Sequence, residues 1–192
     1  MKIVITGAGG FLGRALACSL AAKNHQIVAL DNDYRGSLDS IEPSLNIERV
    51  RCDILDELDL IHLTKGVDAV FHLAYINGTK YFYTIPDKIL EVGIIGTHNI
   101  LKACMINKVP NFFLASSSEV YQNADKIPTP EEIELKIPDI LNPRYSYGGG
   151  KIASELLTIN YLRPTDTRYV IFRPHNVYGP KMGFEHVIPE LI

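Results

Sequence analysis

The stretch Lys2-Ile-Val-Ile-Thr-Gly-Ala-Gly-Gly-Phe-Leu-Gly13 decides the fold, because two structural patterns meet in it. Its first half is a short run rich in β-branched residues, which predicts a buried strand. Apolar residues at helical spacing then predict a helix over Phe11–Lys23. Gly7, Gly10 and Gly13 lie where such a turn needs glycine: for the tight bend, for a phosphate against the backbone and for close helix packing. The stretch therefore predicts a strand–turn–helix unit that binds an anion.

Strand and helix patterns alternate along the rest of the chain. The further predicted strands are Gln26–Leu30, Asn46–Arg51, Asp68–Ala74, Asn111–Ala115 and Arg168–Phe172, and the further predicted helices are Asp56–Leu63, Pro86–Asn107 and Tyr145–Leu162. This alternation is typical of an α/β protein with a parallel sheet and right-handed crossovers. We expect a doubly wound sheet with strand order 3-2-1-4-5-6, in which ligands bind beyond the carboxyl ends of the strands. Residues 122–144 contain four prolines and are predicted to be irregular surface.

An acidic residue follows the glycine turn at the distance that a dinucleotide site requires. Asp31 ends the second predicted strand, where its carboxylate would accept hydrogen bonds from a ribose 2′-hydroxyl and repel a 2′-phosphate. The pattern therefore predicts NAD as the cofactor rather than NADP. Arg35 is the one observation in favour of NADP, because a nearby arginine can accommodate the extra phosphate.

Tyr147 and Lys151 are four residues apart, a spacing that places both side chains on one face of a helix. A fixed ammonium favours the phenolate, so we expect the pKa of Tyr147 to lie below its ordinary value. Between them stand Gly148, Gly149 and Gly150, which each cost a helix about 1 kcal/mol relative to alanine. Three glycines in a row indicate either close approach of the backbone to a bound molecule or a loosely held turn.

Composition limits the function classes. The chain has 192 residues, of which 46% are apolar and 21% charged, as in one globular domain with a core. A net charge of -3 gives no reason to expect nucleic acid or an anionic membrane as a partner. Three widely spaced cysteines match no metal-ligand spacing and suit a reducing compartment. We also expect no membrane span and no signal peptide, and therefore a cytoplasmic protein.

Seven segments together carry a family resemblance. They are Thr6–Gly13, Asp53-Ile54, His72–Ala74, Gly96–Asn99, Ser116–Tyr121, Tyr147–Lys151 and Arg173–Pro180. With these segments in this order, the chain resembles the extended short-chain dehydrogenase/reductase superfamily, specifically its nucleotide-sugar epimerase/dehydratase branch. The resemblance implies a Rossmann fold that binds NAD, a nucleotide-diphosphate sugar as substrate, and a homodimer formed through a four-helix bundle. The bundle would use the helices Pro86–Asn107 and Tyr145–Leu162.

The resemblance also implies roles for individual residues. Tyr147 would take the proton of a sugar hydroxyl during oxidation to a 4-keto sugar, Lys151 would lower its pKa, and Ser117 would stabilise the reacting oxygen. Glu119 would be the candidate base at C5. The residues implied in cofactor binding are Gly7, Gly10, Phe11, Leu12, Gly13, Asp31, Asn32, Asp53, Ile54, Leu73, Ala74, Asn99, Tyr147, Lys151, Pro174, Asn176 and Val177. Among them, Asp53 and Ile54 would contact the adenine, and Leu73 and Ala74 would line the nicotinamide side.

Two departures from the family pattern leave the outcome of the reaction open. Ser118 stands where dTDP-glucose dehydratases carry an aspartate, which leaves an epimerase, a GDP-mannose-type dehydratase or a UDP-glucuronate decarboxylase. Gly150 stands where the family often has a serine. The alternatives to these enzymes are a non-catalytic NAD-binding module and a reductase of small carbonyl compounds, the latter disfavoured by the sugar-type segment Arg173–Pro180.

Family members extend well beyond the length of this chain, and the additional part forms most of their substrate lobe. We therefore expect an NAD-binding domain over residues 1–180 and the start of a truncated substrate lobe over residues 181–192. An NAD-binding domain without its lobe could be an inactive fragment.

Overall fold

The computed structural model describes residues 1–180 and residue 182. Six parallel strands form one sheet in the order β3-β2-β1-β4-β5-β6. The strands are β1 (Lys2–Thr6), β2 (Gln26–Asp31), β3 (Ile47–Arg51), β4 (Ala69–His72), β5 (Asn111–Ala115) and β6 (Arg168–Phe172). This confirms the predicted doubly wound fold and its strand order. Except for Met182, the predicted start of a substrate lobe over residues 181–192 lies outside the described residues.

The connections are mostly helical. The helices are α1 (Phe11–Ala21), α2 (Glu57–Leu63), α3 (Thr79–Thr84), α4 (Pro86–Leu90), α5 (Gly96–Ile106) and α6 (Ser146–Leu162). A π-helical turn over Glu91–Ile95 joins α4 to α5, so that they form one helix over Pro86–Ile106. The predicted long helix is thus confirmed, while α3 was not predicted. Between Gln122 and Asn142 the chain is irregular, as expected.

The core lies on both faces of the sheet. Alternate residues of β1 point to opposite faces, so Val4 joins the cluster under α2, α5 and α6, whereas Ile3 and Ile5 join the cluster under α1. Val4 and Ile5 are fully buried, as expected for a central strand of a parallel sheet covered by helices on both sides. The carboxyl ends of the strands are therefore held in fixed positions at one edge.

The helix Pro86–Ile106 corrects one expectation from the sequence. It is long and apolar enough to cross a membrane by length and composition alone, so the expectation that no such segment exists was wrong. Half of its most apolar window is buried, and α5 packs against α2 and α6. A core helix passes the same test of composition, so one such helix is weak evidence for a membrane span.

Candidate active site

The glycine turn after β1 fits a bound pyrophosphate. Gly7 has a positive φ of 71°, and a Cβ added to Gly7 would lie 2.7 Å from the backbone nitrogen of Ala74. A Cβ on Gly13 would lie 2.1 Å from the carbonyl oxygen of Gly7, so α1 could not pack this closely with another residue there. Gly10 precedes Phe11 at the start of α1 and, as a glycine, has no side chain to cap this helix end. The start of α1 is therefore available to an anion.

Asp31 connects the glycine turn to the end of β2. Its carboxylate accepts hydrogen bonds from the backbone nitrogens of Gly9 and Asp33, each at 2.9 Å. Burial raises the pKa of Asp31 above its ordinary value, although these two backbone bonds lower it. A carboxylate has about four acceptor positions, so Asp31 retains capacity for a ribose hydroxyl. Arg35, the observation in favour of NADP, lies over the ring of Tyr81 in α3, 4.9 Å from its centroid.

The residues predicted on the adenine side do come together. Asn32 donates to the Asp53 carboxylate at 2.9 Å, which joins the segments after β2 and β3. Asn99 donates to the carbonyl oxygens of Ile54 and Leu55, each at 3.1 Å. Asn99 therefore supports the segment after β3.

Ser117, Tyr147 and Lys151 meet at the carboxyl end of β5. The Ser117 side chain lies close enough to the Tyr147 phenol to lower its pKa, and Lys151 donates to the carbonyl oxygen of Ala115 at 2.7 Å. All three predicted side chains are buried, and Phe82 of α3 stacks on the ring of Tyr147 with a centroid separation of 5.2 Å. The helical spacing of Tyr147 and Lys151 in α6 is as predicted.

The predicted direction of the Tyr147 pKa was wrong. Burial raises the pKa of Tyr147 to about 12, although the hydrogen bond with Ser117 lowers it. The ammonium of Lys151 lies 5.7 Å from the centroid of the Tyr147 ring and is directed to the Ala115 carbonyl and the ring of Tyr75. Burial also lowers the pKa of Lys151 to about 7, so its charge is only partial at neutral pH. Burial is therefore the largest influence on the pKa of Tyr147 in this arrangement.

The three glycines between Tyr147 and Lys151 are explained by side chains that pack against them. A Cβ on Gly148 would lie 2.5 Å from Nε2 of Gln122, one on Gly149 would lie 3.3 Å from Cδ1 of Ile137, and one on Gly150 would lie 2.1 Å from the hydroxyl of Tyr75. All three glycines lie near the start of α6. The close neighbours of these glycines are protein side chains, and the expectation of a loosely held turn stays a prediction.

Glu119 is engaged by a residue that sequence analysis did not single out. Nη2 of Arg144 lies 3.0 Å from both carboxylate oxygens of Glu119. The guanidinium of Arg144 also lies over the ring of Phe82, and its buried Nη1 has no hydrogen-bond partner among the described residues. The role of Glu119 as a base at C5 stays a prediction. In this structure the Glu119 carboxylate is paired with Arg144.

Ser116 has a different side-chain partner from Ser117. It donates to the carboxylate of Glu155, which also accepts two hydrogen bonds from Arg173, at 2.9 and 2.7 Å. The buried Glu155 thereby ties α6 to the ends of β5 and β6. Glu155 was not identified from the sequence. The signal that could have identified it is its spacing, because a carboxylate four residues after Lys151 lies on the same face of a helix.

The remaining predicted cofactor residues lie around this edge. Leu73 and Ala74 donate from their backbone nitrogens to Thr6, at 3.2 and 3.3 Å, and so adjoin the glycine turn. The carbonyl of Pro174 accepts a hydrogen bond from the Ser118 nitrogen at 3.0 Å. Phe11, Leu12, Asn176 and Val177 are at least partly exposed.

Comparisons with known proteins agree with this geometry. The family model described as the NAD dependent epimerase/dehydratase family matches residues 3–192. A dTDP-D-glucose 4,6-dehydratase from Dictyostelium discoideum is 32% identical over all of this chain and 47% of its own length. A UDP-N-acetyl-alpha-D-glucosaminuronate decarboxylase from Bacillus cytotoxicus is 33% identical over all of this chain and 60% of its own length. The chain thus spans about half the length of these relatives.

Solved structures agree as well. An epimerase from Methanothermobacter thermautotrophicus has a TM-score of 0.88 and 30% sequence identity. The match covers 98% of this chain and 56% of the epimerase chain. A dTDP-glucose 4,6-dehydratase from Streptomyces venezuelae, solved with NAD bound, has a TM-score of 0.89 and 26% identity, covering 99% of this chain and 60% of its own.

The sheet, the glycine turn and the Ser117–Tyr147–Lys151 cluster define a dinucleotide-binding protein of the short-chain dehydrogenase/reductase superfamily. Within it, the chain belongs to the NAD-dependent epimerase/dehydratase family. The prediction of NAD as the cofactor is confirmed at the level of the family.

Proposed function

We propose that this chain binds NAD and takes part in the oxidation of a hydroxyl group on a nucleotide-diphosphate sugar, as an epimerase or a dehydratase does. The observation that carries the proposal is the contact of Ser117 with Tyr147, one helical turn before Lys151. A binding module would need the glycine turn and Asp31 but not these three side chains.

The cofactor would lie across the carboxyl ends of the strands. The turn at Gly7 and Gly10 would hold the pyrophosphate, and Asp31 would accept from the adenosine ribose. When bound, NAD⁺ supplies the acceptor for the hydride and a positive charge beside Tyr147. Leu73 and Ala74 would border its nicotinamide end.

Tyr147 would act as the base for the sugar hydroxyl. Ser117 lies beside the phenol, so a sugar oxygen bound next to both side chains would contact both of them. Tyr147 must be a phenolate to take the proton of the sugar hydroxyl. Because burial raises the pKa of Tyr147 to about 12, positive charge must be added at the site to favour the phenolate. Lys151 contributes part of that charge and is held in place by the Ala115 carbonyl.

Arg144 favours a carboxylated sugar as a second candidate substrate class. Its Nη2 is engaged by Glu119, whereas its buried Nη1 has no partner among residues 1–180 and 182. A uronate carboxylate would satisfy that donor. A decarboxylase of UDP-glucuronate type is therefore the alternative outcome, in line with the decarboxylase relatives.

The test is turnover with a panel of UDP-, GDP- and dTDP-sugars, with UDP-glucuronate included. We expect keto-sugar or decarboxylated product from the chain or, where its open reading frame is longer, from the whole protein. Tyr147→Phe should lower kcat by about a hundredfold or more, because it removes the base. NAD binding without turnover of any sugar by the whole protein would contradict the proposal and leave a non-catalytic NAD-binding module.

We also propose a homodimer through α5 and α6, as the family resemblance implies. Apolar side chains on or next to these helices are exposed in the single chain: Ile95, Ile106 and Leu156 are 47%, 52% and 57% exposed. A helical bundle between two copies would bury them.

A further inference from the structure

Tyr75 is partly buried and packs against the buried cluster of Ile76, Phe82, Ile89 and Tyr147, although nothing in the sequence pattern marked it. It follows β4 directly after Ala74, and its side chain reaches between the long helix and α6. The ring of Tyr75 meets the Tyr147 ring edge to face, with centroids 5.1 Å apart. The ammonium of Lys151 lies 3.8 Å from the centroid of the same Tyr75 ring.

The space for Tyr75 is made by two glycines on different helices. A Cβ at Gly93, in the π-helical turn, would lie 2.1 Å from the Tyr75 hydroxyl, and a Cβ at Gly150 would lie equally close. The carbonyl oxygens of both glycines accept from the hydroxyl of Ser154, at 3.2 and 2.9 Å. The two helices are thus joined around the Tyr75 side chain, which fixes the plane of its ring.

Hydrogen bonding by the Tyr75 hydroxyl does not explain why this side chain packs between the two helices. The hydroxyl is buried and has no hydrogen-bond partner among the described residues, and burial raises the pKa of Tyr75. An unsatisfied buried hydroxyl is unfavourable, so the favourable contacts of this side chain come from its ring. The ring face is in the position from which an aromatic group attracts a cation.

We propose that Tyr75 is a positioning residue for the proton-transfer pair: its ring face holds the ammonium of Lys151 and its packing fixes the phenol of Tyr147. The role rests on the proposed function, because Lys151 and Tyr147 act on a substrate only there. The ring offsets part of the cost of burying the lysine cation. The other titratable groups around Lys151 are Glu155 and Tyr147 on α6 and His72 in β4.

The experiment measures the pKa of Lys151 in the protein without NAD or sugar, so its outcome does not depend on turnover. Lysines carry carbon-13 at Cε, the protein is titrated by NMR, and Lys151→Met assigns the resonance. Tyr75→Leu should lower the Lys151 pKa by about 0.4 to 1.5 pH units, the equivalent of one cation–π contact. Tyr75→Phe keeps the ring and should leave the Lys151 pKa unchanged.

Phe82→Leu is the matched control. Phe82 is buried in the same cluster and stacks on Tyr147, but among the described residues the Lys151 ammonium lies over the rings of Tyr75 and Tyr147 and not over that of Phe82. A general loosening of the cluster would move the Lys151 pKa equally in Phe82→Leu and Tyr75→Leu, and would overturn the proposal. So would a lowered pKa in Tyr75→Phe or an unchanged one in Tyr75→Leu. Tyr75→Met tests the same point if Tyr75→Leu does not fold.

Discussion

At the scale of single residues, the fit between Tyr75 and Gly150 depends on one oxygen atom. A Cβ at Gly150 would lie 2.1 Å from the Tyr75 hydroxyl but 3.4 Å from Cζ, which is ordinary contact. At Gly93 a Cβ would also lie 2.4 Å from Cζ and 2.8 Å from Cε2. Removal of the hydroxyl therefore makes room for alanine at Gly150 but not at Gly93.

We predict that Gly150→Ala destabilises the wild-type protein by about 1 to 3 kcal/mol, because it overpacks a buried site. In the Tyr75→Phe background the same change should be neutral or stabilising, since alanine is the better helix former by about 1 kcal/mol. Free energies of unfolding in urea give the coupling between the two substitutions.

Gly93→Ala serves as the control for this cycle. It should remain destabilising in the Tyr75→Phe background, because the ring itself occupies the space. Equal costs of Gly150→Ala with and without the hydroxyl would show that Tyr75 does not lie against Gly150.

The same residues show how far the sequence could go. The spacing of Tyr147 and Lys151 sufficed to place them on one face of a helix, because that relation is local. The reason for Gly150 is a side chain that arrives from the end of β4, a contact between residues distant in the chain. The predicted direction of the Tyr147 pKa was wrong for the same reason. Burial raises this pKa, and the rings of Tyr75 and Phe82 that pack against Tyr147 come from distant parts of the chain.

At the scale of secondary structure, the elements with a clear apolar pattern were predictable, whereas α3 was not. The strands and the long helices follow from β-branched runs and apolar spacing. In contrast, α3 has the sequence Thr79-Lys-Tyr-Phe-Tyr-Thr84, in which lysine is the one strong helix former. Its one buried side chain, Phe82, stacks on Tyr147, so tertiary contact stabilises this helix.

The exposed apolar side chains of α5 and α6 lead to a prediction about assembly. We expect the protein to sediment as a dimer at micromolar concentration and Leu156→Glu to sediment as a monomer. A two-fold interface contains the substituted residue twice, so each dimer would bury two unpaired charges. Leu156 is 57% exposed in the single chain.

Leu58→Glu is the control for charge and exposure. Leu58 is 76% exposed on α2, outside the proposed bundle, and its substitution should leave the dimer intact. A wild-type protein that sediments as a monomer, or a Leu58→Glu variant that dissociates as readily, would contradict the proposed bundle.

At the scale of the whole molecule, a buried polar chain connects the sheet to the helices of the site. Nδ1 of His72 in β4 lies 2.8 Å from the hydroxyl of Thr6 in β1, and Nε2 lies 3.2 Å from that of Thr97 in α5. Thr97 in turn lies 3.2 Å from Ser154 in α6. The resemblance located His72 in a family segment, but only the fold shows that it bridges two strands and a helix.

This histidine makes the stability of the molecule depend on pH. Burial, and to a smaller extent the charge of Lys151, lowers the pKa of His72 from 6.5 to about 3. Between those two pH values the unfolded chain binds a proton that the folded protein excludes. Acid therefore favours unfolding, and the contribution of His72 to stability falls as the pH drops below 6.5.

We predict that lowering the pH from 7.5 to 5 costs the wild-type protein about 2 kcal/mol through His72 alone. His72→Gln should be less stable at pH 7.5, because it disturbs a buried hydrogen-bonded chain, yet it should lose about 2 kcal/mol less on acidification. The measurement is the free energy of unfolding in urea at both pH values. Other groups titrate alike in both proteins, so the difference between the two losses isolates His72. If both proteins lose the same amount, then His72 is accessible to protons in the folded state and does not connect β1, β4 and α5 as a buried neutral side chain.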